Sequence, residues 1–278
     1  MLVKRQGPLW VPDRRIVPPG IIDPRKCPPL PDVGRMPWRC AISYSGDVDS
    51  EGKLEPSGDP ETLNSVLDSQ LTDGYIIVGL AGWDGNAVST ASATYDGTSM
   101  TALASVTRAA FGGSYRTHLF GLAVGNKAAG TYVMSANLLE VWDEYNAVVI
   151  VYNGVDQTTP TGTATTNNGS STTPTVDVSS ASGELVVDVV TFGGGSGTVH
   201  ASQTQRWLQA TATGGGASEE AGGATVTMSW TQNSADWTIA AVPLKPAAAG
   251  GGGVAVRPFA NTHGYIRQGS IQGGGGFA

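Results

Sequence analysis

From residue 73 onward apolar and polar positions alternate with a period of two, the pattern of strands that bury one face. Val226, Met228 and Trp230 alternate with Thr227 and Ser229, and Trp237, Ile239 and Ala241 form a second such row. The segments predicted as strands are residues 74–82, 87–95, 101–111, 116–124, 130–136, 145–155, 184–192, 206–212, 224–230 and 236–244. Turn chemistry separates them. Asp96-Gly97 lies between two such runs and predicts a hairpin, because both central residues of a type I′ turn need positive φ. Short, regularly spaced strands joined by Gly, Asn and Asp define an all-β fold class. The expectation is an antiparallel β-sandwich, jelly-roll-like, with extended N- and C-terminal arms and one short helix.

The helix is predicted at residues 59–71, "DPETLNSVLDSQL". Asp59 can cap it, Pro60 suits its first position, and Glu61 suits its first turn. Leu63, Val66, Leu67 and Leu71 would then share an apolar face. Residues 158–175 read as a Thr/Ser/Asn loop or weakly paired edge. The glycine-rich stretches 193–197 and 214–223 read as exposed hairpin ends, with Glu219 and Glu220 at a solvated tip. The expected organisation is a Pro-rich basic docking arm (1–46), an acidic linker and short helix (47–72), a sandwich body (73–246) and a Gly-rich C-terminal arm (247–278).

Composition sharpens the picture at the ends. Nine of the sixteen prolines fall in residues 1–46, where no hydrophobic period runs. Proline fixes φ and lacks an N–H, so this arm favours extended or irregular chain over a core element. Charge divides the chain as well. The arm holds eight basic and three acidic residues (+5), residues 47–253 hold six and twenty (−14), and residues 254–278 add two arginines. An acidic body repels phosphate, so a direct nucleic-acid partner is not expected. No run of 18 apolar residues occurs and no apolar segment follows the charged N-terminus, so neither a membrane partner nor a secretion signal is expected.

Apolar and basic side chains punctuate both arms. Trp10, Ile16, Ile21, Ile22, Leu30 and Trp38 are candidate anchors, and Arg14, Arg15, Arg25 and Lys26 candidate charge contacts. Phe259, Tyr265 and Ile266 repeat the logic at the C-terminus. A free linker needs none of these, so the arms are expected to lie along a partner surface. Cys27 and Cys40 are thirteen positions apart in the same arm. A disulfide would close a small loop there, and two free thiols of a reducing cytoplasm are the other reading. Both stay open.

The body resembles jelly-roll β-sandwich modules of concanavalin-like look found in phage virion proteins and some bacterial surface proteins. The residues that carry the likeness are "ATYDGTSMTALASV" (93–106), "AGTYVMSA" (129–136), "VVIVYNGVDQTTPTGTATTNNGSSTTP" (148–174), "GELVVDVVTF" and "SWTQNSADWTIAAVPLKP". The likeness covers residues 62–246 and implies a virion or surface context. Such proteins serve as capsid decoration, head fibres, tail components or adhesin modules. It also implies a weak calcium candidate at Asp84, Asn86 and Asp156, set against ordinary Asx turns at the same residues.

Motifs for catalysis are sparse. His118, His200 and His263 stand apart, with no HExxH, HxH or Cys/His grouping, and no GxSxG occurs. Glu140, Asp143 and Glu144 cluster beside Trp142, where a glycosidase would need two carboxylates across a cleft. The plainer reading is an acidic turn. Trp83, Trp142 and Trp207 are candidates for stacking on sugars or for a sandwich core.

The leading expectation is therefore a non-enzymatic virion structural protein without a cofactor, a capsid decoration or cement protein. Its partners would be the major capsid protein or other virion proteins and further copies of itself, as a homo-oligomer such as a trimer. It would be assembled in the host cytoplasm and reside in the virion. The alternatives are a carbohydrate-binding receptor module of a tail tip or head fibre, with a host glycan as partner, and a glycan hydrolase.

Overall fold

A computed structural model of the chain describes residues 41–53, 61–85, 91–137 and 144–248. The first half supplies β1 (Ser43–Lys53), β2 (Glu61–Leu67), β3 (Gly74–Asp84), β4 (Ser92–Tyr95), β5 (Thr98–Ser99), β6 (Thr101–Ala110), β7 (Gly113–Gly125), β8 (Gly130–Asn137) and β9 (Glu144–Asn153). The second supplies β10 (Thr165–Ser171), β11 (Thr175–Val178), β12 (Leu185–Phe192), β13 (Gly197–Val199), β14 (Thr204–Gln209), β15 (Gly214–Ala221), β16 (Val226–Gln232) and β17 (Ala235–Leu244). Every ladder between them is antiparallel.

The strands stack as four layers. Two five-stranded sheets, ordered β1-β9-β3-β7-β6 and β10-β17-β12-β15-β14, face each other in the middle. A sheet ordered β2-β8-β4-β5 covers one, and a sheet ordered β11-β16-β13 covers the other. Three apolar cores fill the gaps. Ile76, Val78, Leu80, Phe120 and Met134 close the first, and Val186, Val190, Phe192, Met228 and Trp230 the last. Ile77, Val148, Ile150, Val187, Val189 and Val242 close the middle one. Strands β3, β9, β12 and β17 are buried on both faces, which is why they read as near-continuous Val/Ile/Ala runs.

The strand order of the first half recurs in the second. β1, β9, β3, β7 and β6 correspond to β10, β17, β12, β15 and β14, and β2, β8 and β4 correspond to β11, β16 and β13. Each half is thus an eight-stranded jelly roll, and the two-residue β5 alone lacks a counterpart. The registers agree in detail. Ile76, Val78 and Leu80 pair with Val151, Val149 and Ala147, as Val186, Asp188 and Val190 pair with Pro243, Ala241 and Ile239. A β-bulge falls at the same place in each half, between Ala102 and Ala104 and between Gln205 and Trp207.

The halves pack as a pseudo-dimer. In a two-fold interface each contact between i and j has a mirror, and residues on the axis meet their own equivalents. Gly79 corresponds to Val189 and the two touch: a Cβ on Gly79 would lie 2.6 Å from Val189 Cγ2. Thr117 hydrogen-bonds Thr191 (2.8 Å), while their equivalents Gly215 and Ala81 also adjoin, a Cβ on Gly215 coming 3.1 Å from Ala81 Cβ. Thr117 Oγ1 also meets Thr238 Oγ1 at 2.7 Å, so the hydroxyls in this apolar interface satisfy one another.

Three expectations change. Residues 61–67 form strand β2, paired with β8, instead of opening a helix. Ser65 and Leu67 point inward while Asn64 and Val66 are exposed, so period two won over the cap signals once β8 offered a partner. Asp59 and Pro60 lie outside the described residues. The sheets begin at Ser43, within what reads as arm and linker, because β1 pairs along β9. Residues 214–221 are a buried strand rather than a hairpin end. Its glycines leave room for aromatic rings: a Cβ on Gly216 would meet Phe192 and Trp230 at 3.0 Å. The Asp96-Gly97 turn has φ of 51° and 71°, as its chemistry predicts.

Candidate functional site

Gly154 marks the pole at which the chain enters and leaves the body. A Cβ on it would lie 3.1 Å from the Ala41 carbonyl oxygen, and its own carbonyl accepts from the Ala247 N–H at 2.8 Å. Val155 and Pro246 form a bridge beside it. The described chain therefore begins and ends beside one residue, with Ala41 and Ala247 both against Gly154. The docking candidates Trp10, Arg14, Arg15, Ile16, Ile21, Ile22, Arg25, Lys26, Leu30, Trp38, Phe259, Tyr265 and Ile266 lie outside the described residues, as do Cys27 and Cys40.

A groove of about 460 Å³ opens near this pole in the second half. The turn after β13 supplies His200 and Ser202, the end of β15 supplies Glu220, and Thr225, Thr227 and Ser229 line its far side along β16. Across the central sheet Ala221 pairs with Leu185 and Leu185 with Leu244, so Ala221 at the groove is two strand spacings, about 10 Å, from Leu244 near this pole. The Ser202 hydroxyl donates to Glu220 Oε2 (3.1 Å) and lies 2.9 Å from His200 Nδ1. The serine stands between histidine and carboxylate, whereas a hydrolytic triad needs the histidine in the middle. This order presents a carboxylate acceptor to a ligand, and no group among the described residues hydrogen-bonds His200 Nε2 to orient the ring as a triad does.

Neighbouring polar groups are structural. Glu219, expected on a solvated tip, is 8% exposed. It takes hydrogen bonds from Arg206 and from Tyr152 Oη, while the Arg206 guanidinium sits 4.1 Å from the Tyr44 ring centroid. Burial first, and then the Glu219 charge, raise the Tyr152 pKa well above its ordinary value, keeping the phenol a donor. This cluster joins strands of both halves. Arg108 and Asp236, 2.7 Å apart, join them again.

Other candidates are dispersed. Asp84 is fully buried, 3.8 Å from Arg116. Asp156 accepts from the Thr158 and Thr159 N–H groups, which lower its pKa, as an Asx turn does. The ladder from Tyr75–Tyr152 to Trp83–Glu144 separates these two aspartates by about 27 Å, so they cannot share a calcium ion. Asn86, Glu140, Trp142, Asp143 and His263 lie outside the described residues. Trp207 is buried in the middle core and Trp83 is half-buried on β3. His118 is buried against Phe120, and burial followed by Arg116 pulls its pKa down to about 4, so it is neutral at ordinary pH. No local pattern encodes the groove, because its lining comes from three separate turns and strands. His200 beside a glycine-rich turn and Glu220 are its two residues that stand out in the sequence.

The fold and these sites define an all-β protein of two tandem jelly rolls. No protein-family model matches the chain, and no curated protein or solved structure matches it either.

Proposed function

We propose that this is a non-enzymatic structural protein of a virion, a capsid decoration or cement protein that holds its place through its terminal arms. The observation that carries the reading is the common departure point of both arms at Gly154. A body fastened at one pole projects its far end outward, as a display or cement subunit must. The body suits that role: three cores and a fully buried interface join its halves into one rigid block. The N-terminal arm is +5 against a body of −14, so it is attracted to acidic neighbours, including other copies. Its prolines restrict the free state and lower the cost of ordering it on a partner, and repeated copies multiply weak contacts. The capsid protein and further copies of this chain are its partners in this reading.

Deleting residues 1–40 removes no strand of the described body. The truncated chain is expected to keep its far-ultraviolet β signature and melting transition, and to be lost from purified particles. Incorporation at the level of the full chain would overturn the proposal.

A further inference from the structure

The two jelly rolls part at the edge of β8 and of its counterpart β16. In the first half β4 runs on beside β8, and the Asp96 N–H bonds the Val133 carbonyl at 2.8 Å. The edge of β8 is closed there. In the second half β13 stops at Val199, and the Ser202 N–H turns back to His200 Nδ1. Ser229, which faces this side, is still satisfied: its carbonyl accepts from His200 N and its N–H donates to Gln203 Oε1. Two residues on, the Thr227 N–H and C=O face the same way by strand alternation, without a backbone partner among the described residues. That is a short open strand edge at the wall of the groove.

The charges differ at the same place. The first half plugs its site with its own cation: Lys127 Nζ binds Asp96 at 2.9 Å and lies 3.9 Å from the Tyr132 ring centroid. Aligning Thr131, Met134 and Ser135 with Thr225, Met228 and Ser229 makes Val226 the equivalent of Tyr132, and the register of β7 and β15 makes Glu220 the equivalent of Leu122. Nine residues separate Leu122 from Tyr132 and five separate Glu220 from Val226, so the longer turn that carries Lys127 is missing. In its stead the second half has a carboxylate, Glu220, that no cation among the described residues pairs with. The groove thus offers an acceptor for a cationic side chain beside an unfilled strand edge. Together these fit an extended peptide that carries arginine, bound by strand addition.

We propose that this groove is the docking site for residues 13–17 of this chain's own N-terminal arm, with Arg14 or Arg15 reaching Glu220 and the peptide backbone pairing at Thr227. Residues 13–17, "DRRIV", are free of proline and hold two adjacent arginines, so each of them can offer a backbone N–H while a guanidinium reaches the carboxylate. Charge is complementary, and the span is ample. The 23 residues from 18 to 40 reach up to about 75 Å, against about 10 Å between Ala221 at the groove and Leu244 near the pole. The inference rests on the arm being the fastening element and names where on a body, its own or a neighbour's, it fastens.

The test uses the full chain with the photocrosslinker benzoylphenylalanine at Thr225, and mass spectrometry of the captured peptides. Peptides containing Arg14 and Arg15 are expected, and the same label at the equivalent Thr131 should capture none. Glu220→Gln, at a half-exposed side chain that leaves the fold intact, is expected to cut capture about tenfold, as is Arg14→Ala with Arg15→Ala. A captured peptide from residues 249–278, no captured peptide, or unchanged yield in Glu220→Gln would each overturn it. If the deletion of residues 1–40 abolishes incorporation while the crosslink fails, the arm still fastens the protein, and only this site is refuted.

Discussion

Replacing Gly79 with valine is expected to destabilise the protein by about 3 kcal/mol, and replacing its equivalent Val189 with glycine at the same time should restore most of that loss. In Gly79→Val the new Cβ would stand 2.6 Å and 2.9 Å from the two methyl carbons of Val189, in the middle of a fully buried core. Overpacking of this kind costs about 1–3 kcal/mol because neither sheet can retreat without disturbing its ladders. Val189→Gly alone should also cost about 3 kcal/mol by leaving a cavity. The double variant exchanges knob and hole across the pseudo-two-fold axis, so the side chain returns to nearly the same space from the other sheet. Urea denaturation of the four proteins measures the coupling. Additive losses would show that the halves do not meet on such an axis.

The second large effect concerns Asp188, where the first half has Val78. Its carboxylate is fully buried in the last core. Oδ1 accepts from Ser218 N and Ser218 Oγ, both at 2.7 Å, and Oδ2 from Trp230 Nε1 at 2.8 Å. Burial raises its pKa to about 7, and those three donors hold it down from a still higher value. The folded pKa exceeds the unfolded one, near 3.8, so the folded chain keeps a proton between the two that the unfolded chain has released. Stability from this group is thus complete below pH ~4, falls as pH rises toward ~7, and is flat above. The loss is on the order of a few kcal/mol. Asp188→Asn should remove that slope, and it should cost about 1–3 kcal/mol at low pH because its amide would confront the Trp230 N–H. Denaturation midpoints from pH 4 to 8 decide it. An unchanged slope in the variant would assign the dependence to other groups.

Much of the sandwich was legible in the residues. Ile76 to Ala81, Val148 to Tyr152 and Val186 to Phe192 announce central strands by their near-continuous apolar runs, and Asp96-Gly97 announces its turn by backbone chemistry. The misreadings share one cause: each needed a distant partner. Residues 61–67 have helix-start residues at hand, and only pairing with β8 makes them a strand. Gly215 and Gly216 look like a loop until Trp207 fills the space of the first missing side chain and Phe192 with Trp230 that of the second. The duplication was hidden because the halves share facing and register more than residue identity. Thr131, Met134 and Ser135 against Thr225, Met228 and Ser229 were its nearest trace.

By itself, the sequence determined the fold class, the opposition of charge between arm and body, and where strands must be buried. Periodicity, composition and turn chemistry are local, and they act before any tertiary contact forms. Only the tertiary structure decided that there are two jelly rolls back to back, that Ala41 and Ala247 meet at Gly154, and that Glu220 lies by an open edge where Lys127 closes the other half. Those facts depend on register and on turns of different length meeting across sheets, which no local pattern encodes.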